Sequence, residues 1–110
     1  MIEQVFRLTK QSERLTEKVI DDEQLHYMHM IFNKDEGLPP HFANAIYIYM
    51  TVLRGKLSLK LDDQDLKVYE TGNVIKIPYN TRMEVGNKHD DPLEMTVIKA
   101  PAPKAPAKQG

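Results

Sequence analysis

Apolar and polar residues alternate along much of this chain with the two-residue period that is typical of half-buried β-strands. The clearest example is the segment 57–61, in which three leucines alternate with Ser58 and Lys60. Five further segments carry alternating, β-branched or aromatic residues and are also predicted as strands: 25–32, 45–53, 66–68, 74–77 and 93–97. Turn residues separate these segments at short intervals, which favours an all-β sandwich or barrel over alternating strands and helices.

Two turns in this pattern allow local predictions. The polar run at 62–65 separates two alternating segments, so 57–61 and 66–68 are expected to form a β-hairpin. Gly55 lies between two strand segments, where a tight turn with positive φ would suit a glycine. Only residues 10–18 could form a short helix, and residues 19–20 are predicted as another short strand.

The 110 residues leave room for one domain, which we divide into three parts. Residues 1–24 are expected to form a strand or short helix that packs on the body of the protein. Residues 25–100 are expected to form the β-barrel itself. Residues 101–110 contain Pro, Ala and Lys but no large apolar side chain, so they are predicted to be a disordered, extended tail.

Composition excludes several classes of function. The absence of cysteine excludes disulfides, thiolate metal sites and cysteine nucleophiles. The net charge is −1, but three lysines and no acids lie after residue 98, so the body is mildly acidic and unsuited to nucleic acid. No segment is apolar for the length of a membrane span, and the first residues lack the basic and apolar stretches of a secretory signal. A cytoplasmic protein is therefore expected.

Glycine and proline residues are spaced around the predicted strands in a recognisable way. Gly72 is followed by five residues and then Pro78, and Asn87 comes nine residues later. This spacing resembles the second conserved motif of the cupin superfamily, whose members are small β-barrels of jelly-roll type. At the position of that motif's metal-binding histidine, this chain has Met83.

The segment between Gly37 and Gly55 resembles the first cupin motif. His41 falls at the first histidine of that motif and Ile48 at the glutamate. Ala43 falls at the second histidine, or Asn44 if the count shifts by one residue. The resemblance covers about residues 25–100 and implies a single cupin-type jelly-roll β-barrel. Of the four usual metal ligands of the family, the resemblance keeps His41 alone.

The apolar residues at ligand positions imply an interior that is either a packed core or a partly apolar pocket. The candidate pocket residues are His41, Ile48, Met83 and His29, which could join His41 if their strands are neighbours. His41 is the candidate ligand for a divalent metal ion. The resemblance thus implies a small-molecule binding, sensing or accessory protein with a degenerate metal site.

Two alternatives stay open at this point. The first is a metal-dependent cupin enzyme of the dioxygenase, isomerase or decarboxylase type, with a rearranged site that uses His41 and also His29. The second is a structural, dimeric interaction module. Tyr47 and Tyr49 alternate with the interior residues and, with Leu53, form an apolar outer face. Either a second copy, giving a homodimer, or the N-terminal segment could cover that face.

Overall fold

The computed structural model describes residues 2–103, which form nine β-strands and no helix, as the all-β prediction requires. The strands are β1 (Leu15–Asp21), β2 (His26–Phe32), β3 (His41–Phe42), β4 (Tyr47–Arg54), β5 (Lys56–Leu61), β6 (Lys67–Glu70), β7 (Val74–Pro78), β8 (Arg82–Gly86) and β9 (Leu93–Ala100). They pair into one sheet in the order β1-β2-β9-β4-β7 and a second in the order β3-β8-β5-β6. All neighbouring strands run antiparallel.

The hydrophobic core lies between the two sheets and follows the alternation seen in the sequence. On β4, Ile48, Met50 and Val52 are buried in the core, whereas Tyr47 and Leu53 point outward and are exposed. The other sheet contributes core residues from β5 and β8 in the same alternating way. Burying each large apolar side chain contributes about 1.5–3 kcal/mol. Apolar side chains from both sheets fill the space between them.

The predicted turns are present in the structure. Strands β5 and β6 form the expected hairpin, with Leu57 opposite Tyr69. Gly55 joins β4 to β5 with φ of 77°, in the left-handed region that glycine adopts without steric cost. Strand β7 ends at Pro78, which cannot donate a ladder hydrogen bond.

The helix considered for residues 10–18 does not form. Strand β1 begins at Leu15 and includes the short strand predicted at residues 19–20. Pairing with β2 satisfies backbone groups of residues 15–18, whereas a nine-residue helix would be marginal without an apolar face to pack.

The predicted C-terminal tail lies outside the described residues from position 104 onward. Within its described part, the Ala102 N–H donates to the Gln24 carbonyl at 3.0 Å. No helix within residues 2–103 has the length and apolar character needed to cross a membrane.

Candidate functional site

His41 stands at the rim of the barrel, at the start of β3. It lies opposite Met83 of β8, and directly opposite residues of paired strands point to the same side of a sheet. Because Met83 is in the core, the half-buried His41 ring also points to the inner side. Its Nδ1 is 2.8 Å from the Pro39 carbonyl, which can only accept, so Nδ1–H donates. In the neutral ring, Nε2 is then an acceptor.

The other positions that resemble metal ligands are filled by the core. Ile48 and Met83 are each 1% exposed, and Ala43 is 2% exposed. Of the two interiors that the sequence allowed, the structure shows the packed one at these positions. Since Ala and Ile carry no donor atom, this set cannot supply the three or four ligands that a metal site needs. Among residues 2–103, no group of three His, Asp or Glu side chains is placed to hold a metal ion. The residues present therefore do not fit the family's metal.

His29 lies on the opposite side of the five-stranded sheet. Its neighbours Met28 and Met30 belong to the core side of β2, so by alternation His29 points to the outer face. The ring is nevertheless fully buried, at 0% exposure. Because the five-stranded sheet separates the two rings, the structure does not bring His29 and His41 into one site.

Both ring nitrogens of His29 contact carboxylates. Nδ1 is 2.7 Å from Oε2 of Glu17 on β1, and Nε2 is 2.7 Å from Oε2 of Glu94 on β9. The other oxygen of Glu94 accepts from Nε of Arg54 at 3.2 Å. We call these four side chains, Glu17, His29, Glu94 and Arg54, the outer-face charge cluster. Sequence reasoning did not identify this cluster, because strand register is not written in local patterns.

One signal in the sequence does indicate a covered histidine. Residues 26–32 lack alternating polar positions, which is typical of a strand buried on both faces. A histidine within such a strand needs hydrogen-bonding partners. The pattern could thus have predicted that His29 is buried and paired, although not with which residues.

The N-terminal segment covers this part of the sheet. The Thr9 N–H and hydroxyl donate to the two Glu17 carboxylate oxygens at 2.9 and 2.8 Å. These hydrogen bonds and that from His29, with the backbone bond of Thr9 as the largest cause, lower the pKa of Glu17 to about 2. The Arg54 guanidinium donates to the Gln11 carbonyl at 3.0 Å and to the Ser12 hydroxyl at 3.2 Å. The sequence left two possible covers for the outer face, a second copy of the chain and the N-terminal segment. Near His29, the N-terminal segment covers this face.

The remainder of the outer face is open. Tyr47, Leu53 and Val74 are exposed on β4 and the edge strand β7. The Lys76 ammonium lies 4.1 Å from the centre of the Tyr47 ring, in a cation–π contact.

A surface cleft of about 420 Å³ lies on the outer side of the four-stranded sheet, below the loop 35–40 that leads to His41. Its floor includes Ser58 and Glu84, which alternate with core residues along β5 and β8. Two cationic side chains, two leucines and the two prolines before His41 also line the cleft: Arg14, Lys88, Leu38, Leu66, Pro39 and Pro40. Neither this cleft nor two further surface cavities is lined by His41, Ile48, Met83 or His29.

A comparison with known proteins finds a relative that is similar over most of the chain. The uncharacterized protein MJ0764 of Methanocaldococcus jannaschii is 32% identical over 105 residues, which cover 94% of this chain and 90% of the relative. The crystal structure of MJ0764, an RmlC-like cupin family protein with a double-stranded β-helix fold, matches with a TM-score of 0.87 and 31% identity, covering 92% of this chain and 93% of that one.

A cupin superfamily protein of Desulfitobacterium hafniense matches with a TM-score of 0.71 over 86% of this chain and 83% of its own. At 14% identity, this second likeness concerns the fold alone. No protein-family model matches the chain.

Proposed function

Because this chain belongs to the cupin family, we propose that it uses the family's barrel as a scaffold for binding a small molecule, with no metal at the barrel centre. The observation that carries this proposal is the buried state of Ile48 and Met83, which fill the positions of metal ligands. A ligand could reach the centre only by displacing packed core side chains, which is costly in a close-packed interior. We therefore place ligand binding at the surface.

We assign the ligand to the cleft below the loop 35–40, because apolar and charged side chains line it together. Its volume of about 420 Å³ lies within the roughly 300–1,000 Å³ that is usual for small-molecule sites. Lys88 and Arg14 offer cationic groups, while Leu38 and Leu66 offer apolar contact. Glu84 is already hydrogen-bonded to Arg82 at 2.7 Å, which lowers the Glu84 pKa and keeps it anionic. Asp35 and Glu36 also line the cleft, so its three carboxylates outnumber its two cationic groups. The lining thus suits a small molecule that carries both a positive and a negative group beside an apolar part.

A binding screen on protein purified without a His tag tests this proposal. Small zwitterionic molecules with aliphatic or aromatic groups are screened by thermal shift, and calorimetry then measures the affinity of each hit. We expect Lys88→Ala to weaken binding about tenfold or more, since it removes a charge-assisted contact. Lys56→Ala, at an exposed lysine on β5 that does not line the cleft, is the matched control and should bind like the wild type.

Elemental analysis of the same samples separates this proposal from the alternative enzyme. If the protein holds a stoichiometric divalent metal that His41→Ala removes, the proposal is wrong and a rearranged metal site at the rim is correct. Binding that survives Lys88→Ala but is lost in His41→Ala would likewise move the ligand site from the cleft to the rim.

We also propose that the open part of the outer face forms a homodimer. Tyr47, Leu53 and Val74 are exposed on the outer face of β4 and the edge strand β7, and apolar side chains exposed on one face of a sheet favour an interface. Native mass spectrometry should show a dimer that Leu53→Lys converts to a monomer. Val68→Lys, at an exposed apolar residue on β6 of the other sheet, is the matched control and should leave the dimer intact. A wild-type monomer at micromolar concentration would contradict the proposal.

A further inference from the structure

A short strap, residues 9–12, crosses the outer face above His29 and makes polar contacts to the charge cluster at both of its ends. At one end, Thr9 donates two hydrogen bonds to Glu17. At the other end, Arg54 donates to the Gln11 carbonyl and the Ser12 hydroxyl. Glu17 and Arg54 are in turn connected through His29 and Glu94. The groups that contact the two ends of the strap are therefore linked to each other through the His29 ring.

The geometry around His29 requires a particular protonation state. Each ring nitrogen is 2.7 Å from a carboxylate oxygen, and an ionised carboxylate can only accept. The ring can donate to both only as the imidazolium, with a proton on each nitrogen. In that state the two carboxylates, the imidazolium and the Arg54 guanidinium sum to zero charge.

The charged groups around the ring come from three strands. Glu17 is on β1, Glu94 is on β9, and Arg54 on β4 contacts the ring through Glu94. The strap itself contributes the uncharged Thr9, Gln11 and Ser12, and Thr96 lies opposite His29 in the sheet. If the ring loses a proton, one nitrogen lone pair faces a carboxylate oxygen at 2.7 Å. The cluster then carries a net negative charge beside a buried ring, which low-polarity surroundings disfavour.

We propose that His29 is a proton-dependent latch that attaches the N-terminal strap to the sheet. The strap is held while the ring is doubly protonated and is released as rising pH removes one proton. Release exposes the outer face near His29, so the latch makes access to that face depend on pH.

A glutamine at position 94 provides the matched control. Its oxygen can accept from Arg54, and its amide can donate to Nε2 of a neutral His29 ring, while Nδ1–H donates to Glu17. All hydrogen bonds are then kept, and the cluster stays at zero charge without the imidazolium. In the Glu94→Gln variant the strap should therefore stay attached, and its attachment should no longer require the imidazolium form of His29.

The test follows the ring and the strap in the same samples of the full chain. Imidazole ¹⁵N chemical shifts report the protonation of His29, and the Thr9 methyl signal reports strap attachment across the neutral and alkaline range. Tryptic cleavage at Lys10, normalised to cleavage of a peptide of residues 2–14, reports strap opening. For the wild type we expect one shared midpoint and a rise in normalised cleavage of about tenfold, the effect of losing one charge-assisted hydrogen bond.

Glu94→Gln should show a neutral ring with the Nδ1–H tautomer and normalised cleavage that does not change with pH. The latch is refuted if the wild-type ring is neutral while the strap is attached, or if the strap stays attached after the ring loses its proton. It is also refuted if Glu94→Gln keeps the wild-type pH dependence. Lys99 on β9, whose pKa is lowered by burial, and the other titratable groups are unchanged in that variant and would then be the cause.

Discussion

The two glycines with positive φ predict different costs for the same substitution. Gly55 and Gly72 have φ of 77° and 95°, and both belong to the cupin-like spacing. An alanine at either position suffers the backbone strain of the left-handed region, about 1–2 kcal/mol. Only their surroundings differ, which makes the pair a matched comparison of turn geometry and close packing.

At Gly72 an added Cβ meets no atom within 4 Å. Gly72→Ala should therefore lower the free energy of unfolding by the backbone strain alone, about 1–2 kcal/mol. At Gly55 the added Cβ would lie 2.2 Å from the Pro92 carbonyl oxygen, a backbone atom that cannot rotate away. The β4–β5 turn must then separate from the start of β9, and overpacking of this kind adds roughly 1–3 kcal/mol. We expect Gly55→Ala to cost about 2–5 kcal/mol in total, which is about 1–3 kcal/mol more than Gly72→Ala.

Denaturant unfolding of the wild type and both variants measures these free energies, with the m-value checking that unfolding stays two-state. Thermal unfolding should show the same order, with about 4 °C lost per kcal/mol for a domain of this size. Equal losses in the two variants would refute the reasoning, because they would show that contact with Pro92 contributes nothing. A loss for Gly72→Ala larger than that for Gly55→Ala would refute it more strongly.

Three further predictions concern buried and charged groups. Met83→Ala should lower the free energy of unfolding by about 2–5 kcal/mol through loss of core packing, and elemental analysis should show the same metal content as in the wild type. Asn87→Ala should cost about 2–4 kcal/mol in denaturant unfolding, since this buried side chain donates to two backbone carbonyls and accepts from one N–H. Glu17, with its pKa lowered from 4.5 to about 2, stabilises the fold above pH 4.5, and this contribution is lost as pH falls toward 2. Glu17→Gln should therefore flatten the acid limb of the stability profile measured by denaturant unfolding, and an unchanged limb would contradict this assignment.

Sequence reasoning succeeded where local pattern decides structure. The alternation at 57–61 fixes which side chains face inward, and the polar residues after it fix the hairpin to β6. Gly55 was predicted to need positive φ from its place between two strands, and the backbone there has it. The helix considered at residues 10–18 failed because pairing with β2, a contact distant in sequence, outweighs weak local preference.

The candidate site was harder to predict, because its chemistry depends on register and volume. Whether Ile48 and Met83 line a pocket or fill a core depends on the spacing of two sheets, which no strand pattern contains. The partners of His29 depend on register, since Glu17 lies directly opposite on β1 and Glu94 lies diagonally on β9. The residue types at single positions therefore indicated candidate site residues, but they did not indicate which side chains contact each other in the fold.

This chain keeps the spacing of glycine, proline and asparagine residues that resembles cupins, but apolar residues stand at most of the positions of the cupin metal ligands. Asn87 occupies the last position of the second motif, and here its buried amide joins the end of β2 to the loop before β9. Gly55 occupies the last position of the first motif and allows the close approach to Pro92. Neither role involves a metal, so the barrel keeps its turns and loops for reasons of backbone geometry. Ile48 and Met83 fill the centre of the barrel, so the packing of the core there needs no ion.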